Sequence, residues 1–398
     1  MDRREVIIVG GGPAGAATAL YLARLSSDLA RRTLLLEKAV HPRVKVCAGG
    51  LIPHTLDCLD ELGIGLSVPH VMVDRARVDV PGRRVEVDGR RFCAVVRRDE
   101  FDAALLAAVR ACGVEVHEKE KVQQLVRDRE QILVTTEHAS YAAPLVVGAD
   151  GSGSLVRRSL FPHQPRDAAI GRGVMADVPL TDGCRWDGHA RSRYDFDFRA
   201  VPAGLAGYAW AFPCLIGGRP HVNAGVYTRR PCGRVDPVAL LGRLQEELGL
   251  PGTRHQAAPI RCYGRERFAA PNVLLVGDAA GAEPLMGEGI SFAFEYGRWA
   301  AAEIVRAAAS GDLSLHEAEQ HFRRSWVGKK LRRLDLAATM FYGSTARLWF
   351  ALAARWGGAQ RIGLCWYNGV GGWDRQSAWR ALAAALGGAA SAPPEGHP

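Results

Sequence analysis

The chain has 398 residues, 48% of them apolar and 23% charged, a length and balance that fold around a sizeable core as one large unit or two joined domains and exclude a largely disordered protein. Lysine and arginine number 51 against 42 acidic residues, a formal charge of +9, which is compatible with nucleic acid, anionic lipid or an acidic partner and diagnostic of none. The nine cysteines are scattered without a CxxC pair, so no metal is expected, and free thiols in a reducing, cytoplasmic compartment are.

In chain order, Val6–Val9 is a short apolar strand, the Ala/Leu-rich stretch from Gly15 to about Arg24 a helix, and Thr33–Leu36 a second strand ending at Glu37. This β-α-β order predicts a parallel sheet. Residues 101–112 repeat Ala and Leu with helical spacing, Gln131–Thr136 alternates like a strand, and 145–147 is an apolar strand running into Gly148-Ala149-Asp150-Gly151. Residues 273–276 form the last apolar strand, and a helix is expected over 290–309. Between 170 and 267 the texture changes to short aromatic and β-branched segments, such as 208–212 and 222–227, broken by Pro and Gly. Residues 71–87 share that character, so a mixed or antiparallel sheet is expected in two pieces, laid over the first domain. From 331 to 379 the chain is rich in Trp, Leu, Ala and Arg. Arg347, Arg355 and Arg361 interrupt any membrane-spanning run, leaving helices that either cap the core or lie in a lipid interface. The tail, 390–398, is expected to fray.

The strongest motif is Gly10-Gly11-Gly12-Pro13-Ala14-Gly15, directly after a strand and opening a helix. Gly10 permits the tight turn, Gly12 lets backbone approach a pyrophosphate, and Gly15 allows close helix packing, with the helix N-terminus facing the phosphates. Glu37 ends the next strand, where a carboxylate binds ribose hydroxyls. A second glycine segment, starting at Gly277-Asp278, again follows an apolar strand. Asp278 can accept from a ribityl hydroxyl, and the amides near Gly287, Gly289 and Ile290 can face phosphates and the O2 edge of a flavin.

With these blocks the chain resembles the geranylgeranyl reductases within the p-hydroxybenzoate hydroxylase superfamily of FAD-dependent enzymes. The likeness spans 6–309 in separate blocks. Residues 42–50, Pro-Arg-Val-Lys-Val-Cys-Ala-Gly-Gly, are similar to the PRxKxCGG signature, with Ala48 in place of a glycine. Residues 98–102 resemble the RxxFD element, 148–157 the DG motif, 208–213 the YxWxFP motif and 277–290 the GD motif. One departure is a loop with two residues between Gly281 and Pro284 where the family pattern has three, which implies a shorter loop beside the flavin ring.

The resemblance implies an α/β fold: a Rossmann-type FAD-binding domain in three pieces (1–70, 93–169, 268–330), an inserted mixed or antiparallel substrate domain in two (71–92, 170–267), and a C-terminal helical region with tail (331–398). It implies FAD held by Gly10, Gly12, Pro13, Ala14, Gly15, Glu37, Lys38, Lys45, Cys47, Ala48, Gly49, Arg98, Asp150, Gly277, Asp278, Gly287, Gly289 and Ile290. Cys47, near the reactive side of the flavin, and Tyr208 and Trp210, alternating on one strand so that they share a face, are the candidate catalytic residues. His54 and His70 are candidate acids that spacing does not separate, and Glu288 is expected to stabilise its loop. The implied reaction is hydride transfer from reduced flavin to a carbon–carbon double bond of an isoprenoid or other apolar substrate. The alternative is a flavin-dependent monooxygenase (hydroxylase or epoxidase) or halogenase. With one dinucleotide motif in the chain, electrons are expected from transiently bound NADPH or from a reduced carrier such as a separate reductase or ferredoxin. The expected partner is an apolar or lipid substrate, with peripheral membrane contact and no nucleic acid.

Overall fold

The computed structural model of the chain describes residues 1–162, 170–230, 233–264, 266–355 and 363. Four apolar runs, Val6–Val9, Thr33–Leu36, Leu145–Gly148 and Val273–Leu275, are buried at every residue. Strands with no polar face need cover on both sides, the condition of a parallel sheet. They pair in parallel, with Leu145–Gly148 and Thr33–Leu36 flanking Val6–Val9. Val273–Leu275 and Glu115–His117 lie outside these, and Ala269–Ala270 adds an antiparallel edge to complete six strands. Chain order along the sheet reverses at Val6–Val9, so the chain leaves this strand at a crevice suited to a ligand.

Helix Pro13–Leu25 begins two residues earlier than the sequence suggests, because proline at the first helical position sacrifices no hydrogen bond. Gly15 therefore lies inside the helix, where an added Cβ would stand 1.9 Å from the Gly10 carbonyl oxygen. Helix Ile290–Ser310 packs against the same helix just as tightly: a Cβ on Gly297 would be 2.6 Å from the Thr18 nitrogen. The helix expected over 101–112 spans Arg98–Ala111. Gln131–Thr136 is a strand, placed in a separate four-stranded sheet with Asp2–Arg3, Ser140–Ala143 and Val122–Asp128.

The aromatic and β-branched segments form one eight-stranded mixed sheet. His70–Val80 and Arg83–Val96 make an antiparallel hairpin, and His70–Val80 also pairs in parallel with Arg193–Asp197. Gly207–Ile216 pairs antiparallel with Arg193–Asp197 and with Arg219–Thr228, and Ile170–Pro179 and Gln256–Arg261 follow. Along Gly207–Ile216, Tyr208, Trp210 and Phe212 fall in one apolar cluster while Ala209 and Ala211 fall in another, under helix Pro237–Leu248. The period of two on a sheet buried on both faces accounts for this division.

Helix Trp326–Tyr342 buries Val327, Leu331, Leu334, Ala338 and Tyr342, a stripe at three- and four-residue spacing. It continues into helix Ala346–Arg355, and Tyr342, Ala346 and Phe350 pack on Val78, Val80 and Ala206 of the large sheet region. Trp349 is half-buried. Trp356, Trp366, Trp373, Trp379, Arg361 and the tail 390–398 lie outside the described residues. Among the described residues no helix is long and apolar enough to cross a membrane. The seven described cysteines are free thiols.

Helix Pro53–Glu61 is pinned to Ile290–Ser310 by His54, whose Nε2 lies 2.9 Å from Glu295 Oε1. Burial opposes charge on His54, but hydrogen bonding to Cys58 and Glu295 outweighs it and raises the imidazole pKa to about 9. An unfolded histidine titrates near ~6.5. The stabilisation is therefore complete below that pH and is lost as pH rises through about 9. Thermal unfolding across this interval should show the wild-type midpoint falling by several degrees more than that of His54→Gln. Parallel curves for the two proteins would remove this pair from the account of stability.

Candidate functional site

At the end of the first central strand Gly10 turns the chain with φ +112°, and a Cβ there would lie 2.4 Å from the Ala149 carbonyl oxygen. Gly12 has extended backbone, and a Cβ added to it would meet only Arg43 Nη2, at 3.5 Å. The open space before Gly12 is part of a cavity of about 970 Å³. Helix Pro13–Leu25 starts at this cavity with no side-chain cap, leaving its first N–H groups to meet an anion. Glu37 is buried, one carboxylate oxygen accepting from the Gly11 N–H (2.7 Å) and the other from the Ala39 N–H (2.9 Å). Arg98 makes a two-pronged pair with Asp102 (2.8 and 2.9 Å), and Arg43 Nη2 lies 3.3 Å from the same carboxylate. Burial disfavours the Arg98 charge, but Asp102 and then Cys47 outweigh it and hold the guanidinium protonated.

Asp150 Oδ2 accepts from the amides of Leu155 (2.6 Å) and Val156 (3.1 Å). Its Oδ1 is buried without a partner, and burial pushes the carboxyl pKa up. An unsatisfied buried acceptor costs about 1–3 kcal/mol, and Asp150 lines the cavity. A second helix start, Ile290 after the N-cap glycine Gly289, opens on the same space, with Glu288 taking the Ser291 N–H. A glycine face, two helix N-termini with glycine at the N-cap and an orphaned carboxylate oxygen at one cavity fit a bound dinucleotide of the FAD type.

The segment between those helices is held from four sides. Strand Val273–Leu275 runs into a single 3₁₀ turn, Gly277–Ala279, where Asp278 Oδ2 accepts from the Ser152 hydroxyl (3.1 Å). Beyond it, Tyr296 donates to the Gly281 carbonyl (3.1 Å), Tyr227 to Pro284 (3.1 Å), Tyr342 to Leu285 (2.7 Å) and Tyr208 to Met286 (2.8 Å). The fully buried Glu283 accepts from the amides of Leu285 and, at 2.8 Å, Met286. Burial pushes all four phenol pKa values far up, so each stays a donor. The shortened loop after Gly281 is thus rigidly placed. Gly287 follows with φ +68°, and a Cβ on it would lie 2.8 Å from the Tyr227 ring.

Tyr194, Phe196, Tyr208, Trp210, Phe212 and Tyr227 wall the rest of the cavity. Trp210 lies over its cross-strand partner Gly225, where a Cβ would stand 2.2 Å from the indole. The indole N–H donates to Asn223 Oδ1 (2.7 Å), Asn223 Nδ2 to Asp177 Oδ1 (2.7 Å), and Arg97 to Asp177 Oδ2 (2.6 Å).

Of the residues expected to hold the flavin or to form the Cys47/Tyr208/Trp210 set, all but Gly15, which packs against the Gly10 carbonyl, line this cavity: Gly10, Gly12, Pro13, Ala14, Glu37, Lys38, Lys45, Cys47, Ala48, Gly49, Arg98, Asp150, Tyr208, Trp210, Gly277, Asp278, Gly287, Gly289 and Ile290. Cys47 Sγ accepts from the Gly49 N–H (3.4 Å). His54 and His70 do not line it: His54 pairs with Glu295, and His70 with the Val68 carbonyl. Glu288 does stabilise its loop, accepting from the Ser291 N–H at 2.8 Å. His54, Cys58 and Glu295 place ligand atoms within 4.8 Å of one another, a spacing that suits a cation. Arg298, however, lies 3.7 Å from Cys58 Sγ and 3.6 Å from Glu295, so positive charge is already supplied there. Sequence reasoning missed Tyr227, Asn223, Glu283 and Tyr342. The period-two run Asn223, Gly225, Tyr227 was a readable signal for a shared strand face. Tyr342 had none, because its partner is a backbone carbonyl 57 residues away in sequence, whereas Glu283 binds amides two and three residues ahead of it.

Residues 3–194 match the family model described as FAD binding domain. The menaquinone reductase of Mycolicibacterium smegmatis is 29% identical, with 85% of this chain and 85% of that protein covered. The geranylgeranyl diphosphate reductase of Rhodobacter capsulatus is also 29% identical, with 83% of each covered. Among solved structures, the flavin-dependent brominase Bmp2 superposes with a TM-score of 0.72 at 18% identity, over 97% of this chain and 98% of that one. The fold is p-hydroxybenzoate hydroxylase-like, with C-terminal helices.

Gly12→Val should fill the space before the first helix and leave purified protein with little extractable flavin, while its circular dichroism matches wild type. Full flavin content in that variant would place the dinucleotide elsewhere. Gly225→Ala should displace the Trp210 indole and, as overpacking, cost about 1–3 kcal/mol in urea unfolding. Its flavin content should be unchanged.

Proposed function

We propose that the chain, whose residues 3–194 match the FAD-binding-domain model, is an FAD-dependent oxidoreductase that reduces carbon–carbon double bonds of an isoprenoid or other apolar substrate. The observation that carries this reading is the continuity of one cavity from the glycine face to a wall of six aromatic side chains, with Cys47 between them. Reduced FAD, when bound, supplies the hydride. The chain supplies everything else: Gly12, Pro13, Ala14 and Glu37 for the dinucleotide's phosphates and ribose, Lys38, Lys45, Ala48 and Gly49 along its path, and Arg98, Asp150, Gly277, Asp278, Gly287, Gly289 and Ile290 around the flavin end. Tyr208 and Trp210 hold the substrate, each square ångström of apolar contact contributing roughly 25 cal/mol. That contact is non-directional, so the fixed tilt of Trp210 over Gly225 must set the register of the double bond. Both 29%-identical relatives are named as reductases, and one name specifies a geranylgeranyl substrate, which agrees with a prenyl chain in this cavity.

A monooxygenase or halogenase is the second reading, supported by the fold shared with the brominase. NADPH, bound transiently, or a reduced carrier protein such as a separate reductase or ferredoxin is the proposed electron source. The proposed membrane contact is the outer face of the two C-terminal helices. There Leu336 (62% exposed) and Leu348 (59% exposed) stand among exposed Lys329, Arg332, Arg333 and Arg347, a basic amphipathic surface that can sit shallowly in anionic lipid.

Two measurements test these readings. Flavin reduced without oxygen should be reoxidised in a single turnover by geranylgeranyl diphosphate. Trp210→Ala should slow this by about 100-fold through misplacement of the reacting atoms, and Cys47→Ala should alter its rate, both at wild-type flavin content. Normal reoxidation in both variants would remove these residues from the site; substrate-dependent oxygen consumption would select the monooxygenase. Co-sedimentation with phosphatidylglycerol vesicles at low salt should fall sharply in Leu336→Asp/Leu348→Asp, and absence of wild-type binding would leave the helices a packing role only.

A further inference from the structure

Saturating a double bond adds two hydrogens, and one of them arrives as a proton. Five carboxylate residues line the cavity: Glu37, Glu120, Asp150, Asp278 and Glu288. Glu37 and Asp150 are bound to backbone amides beside the glycine turn. Glu120 follows the edge strand Glu115–His117, next to Tyr141. Asp278 accepts from Ser152. Glu288 has a different position: it adjoins Gly287, which abuts the Tyr227 ring, and lies two residues past Met286, whose carbonyl holds Tyr208. Its charge would be felt by the Tyr208 hydroxyl and the Cys93 thiol, both at the aromatic wall.

The partners of Glu288 come from the first turn of helix Ile290–Ser310, which begins two residues after it. Oε1 accepts from the Ser291 N–H (2.8 Å), and Oε2 lies 2.5 Å from the Ser291 hydroxyl. A hydroxyl both donates and accepts, so this pair is equally satisfied when Glu288 carries the proton and donates it to Ser291 Oγ. The surrounding groups are the buried Lys330 of helix Trp326–Tyr342, Cys93, Tyr208, Glu283 and Asp278, whose Oδ1 is beside Gly289. Burial pushes the Glu288 carboxyl up against the lowering effects of Ser291 and Lys330, and pushes Cys93 up to about 12.

We propose that Glu288 is a catalytic residue: a neutral carboxylic acid that gives its proton to the substrate carbon next to the one that receives hydride. The proposal rests on the reductase reading. The Glu288 O–H bond breaks as one C–H bond forms, and reduced flavin supplies the hydride for the other. The π bond is consumed, the flavin is oxidised and the alkene reduced, and the Glu288 carboxylate regains its proton from water.

Wild-type and Glu288→Gln holoenzymes, reduced with dithionite and mixed anaerobically with geranylgeranyl diphosphate, provide the test. Glutamine keeps the hydrogen bonds to Ser291, so flavin content and the rate of flavin reduction should stay at wild-type levels, while reoxidation by the alkene slows about 100-fold or more. The wild-type rate should be flat at low pH and fall as Glu288 deprotonates; the variant should be slow and flat throughout. Infrared spectra at pH 7 should show a protonated-carboxyl band in wild type that Glu288→Gln lacks. Wild-type rate and pH profile in Glu288→Gln, or no difference in that band, overturn the role of Glu288 alone. Should the glutamine variant lose flavin, Ser291→Ala decides: the proposal requires its descending pH limb to shift and Ser291→Thr to restore it, and an unmoved limb overturns the proposal. If reduced wild type is not reoxidised by the alkene at all, the reductase reading falls and this role with it.

Discussion

Four buried tyrosine hydroxyls hold the backbone of residues 281–286, and the geometry of the whole cavity depends on them. The carbonyls of Gly281, Pro284, Leu285 and Met286 lie between the two large sheets, outside any strand ladder, and each would cost about 1–3 kcal/mol if left without a donor. Tyr296, Tyr227, Tyr342 and Tyr208 meet them one for one, and Glu283 takes the Leu285 and Met286 amides. The donors come from a helix of the dinucleotide-binding part, two strands of the large sheet and a C-terminal helix. One short segment therefore ties three regions together and aims the start of helix Ile290–Ser310 at the cavity. Tyr208 is doubly employed, its hydroxyl holding Met286 while its ring forms part of the aromatic wall.

The wall shows how an apolar surface can include an indole without an unsatisfied N–H. Gly225 makes room for the Trp210 ring, and the chain Trp210–Asn223–Asp177–Arg97 passes the hydrogen-bonding demand outward to half-buried charges. The cavity side stays apolar while the polar partners occupy the same sheet face farther along. The opposite face, with Ala209 and Ala211, uses small side chains so that helix Pro237–Leu248 can approach.

The C-terminal helices likewise have two faces. Inward, Tyr342 completes the carbonyl clamp, and Tyr342, Ala346 and Phe350 close an apolar cluster on Val78, Val80 and Ala206. Outward, isolated leucines stand among lysine and arginine. Packing thus explains the buried stripe, while on the basic face Arg347 donates to the Pro202 carbonyl (3.4 Å).

By itself the sequence determined the parts governed by local physics. Continuous apolar runs such as Val6–Val9 and Leu145–Gly148 could only be strands covered on both faces, and Gly10, Gly12 and Pro13 after such a strand could only be a turn into a helix with free N–H groups. Alternation set Tyr208 and Trp210 on one strand face, so most of the residues lining the cavity were legible. Tertiary structure alone decided what depends on contacts between groups that are not neighbours along the chain. It set His54 against Glu295 and away from the cavity, and opposed Trp210 to Gly225. It brought Tyr342 to the carbonyl of Leu285, 57 residues away in sequence. The reason is physical: periodicity and turn chemistry are properties of neighbours along the chain, whereas the partner of a buried hydroxyl or carboxylate is whichever group the packed core brings within about 3 Å.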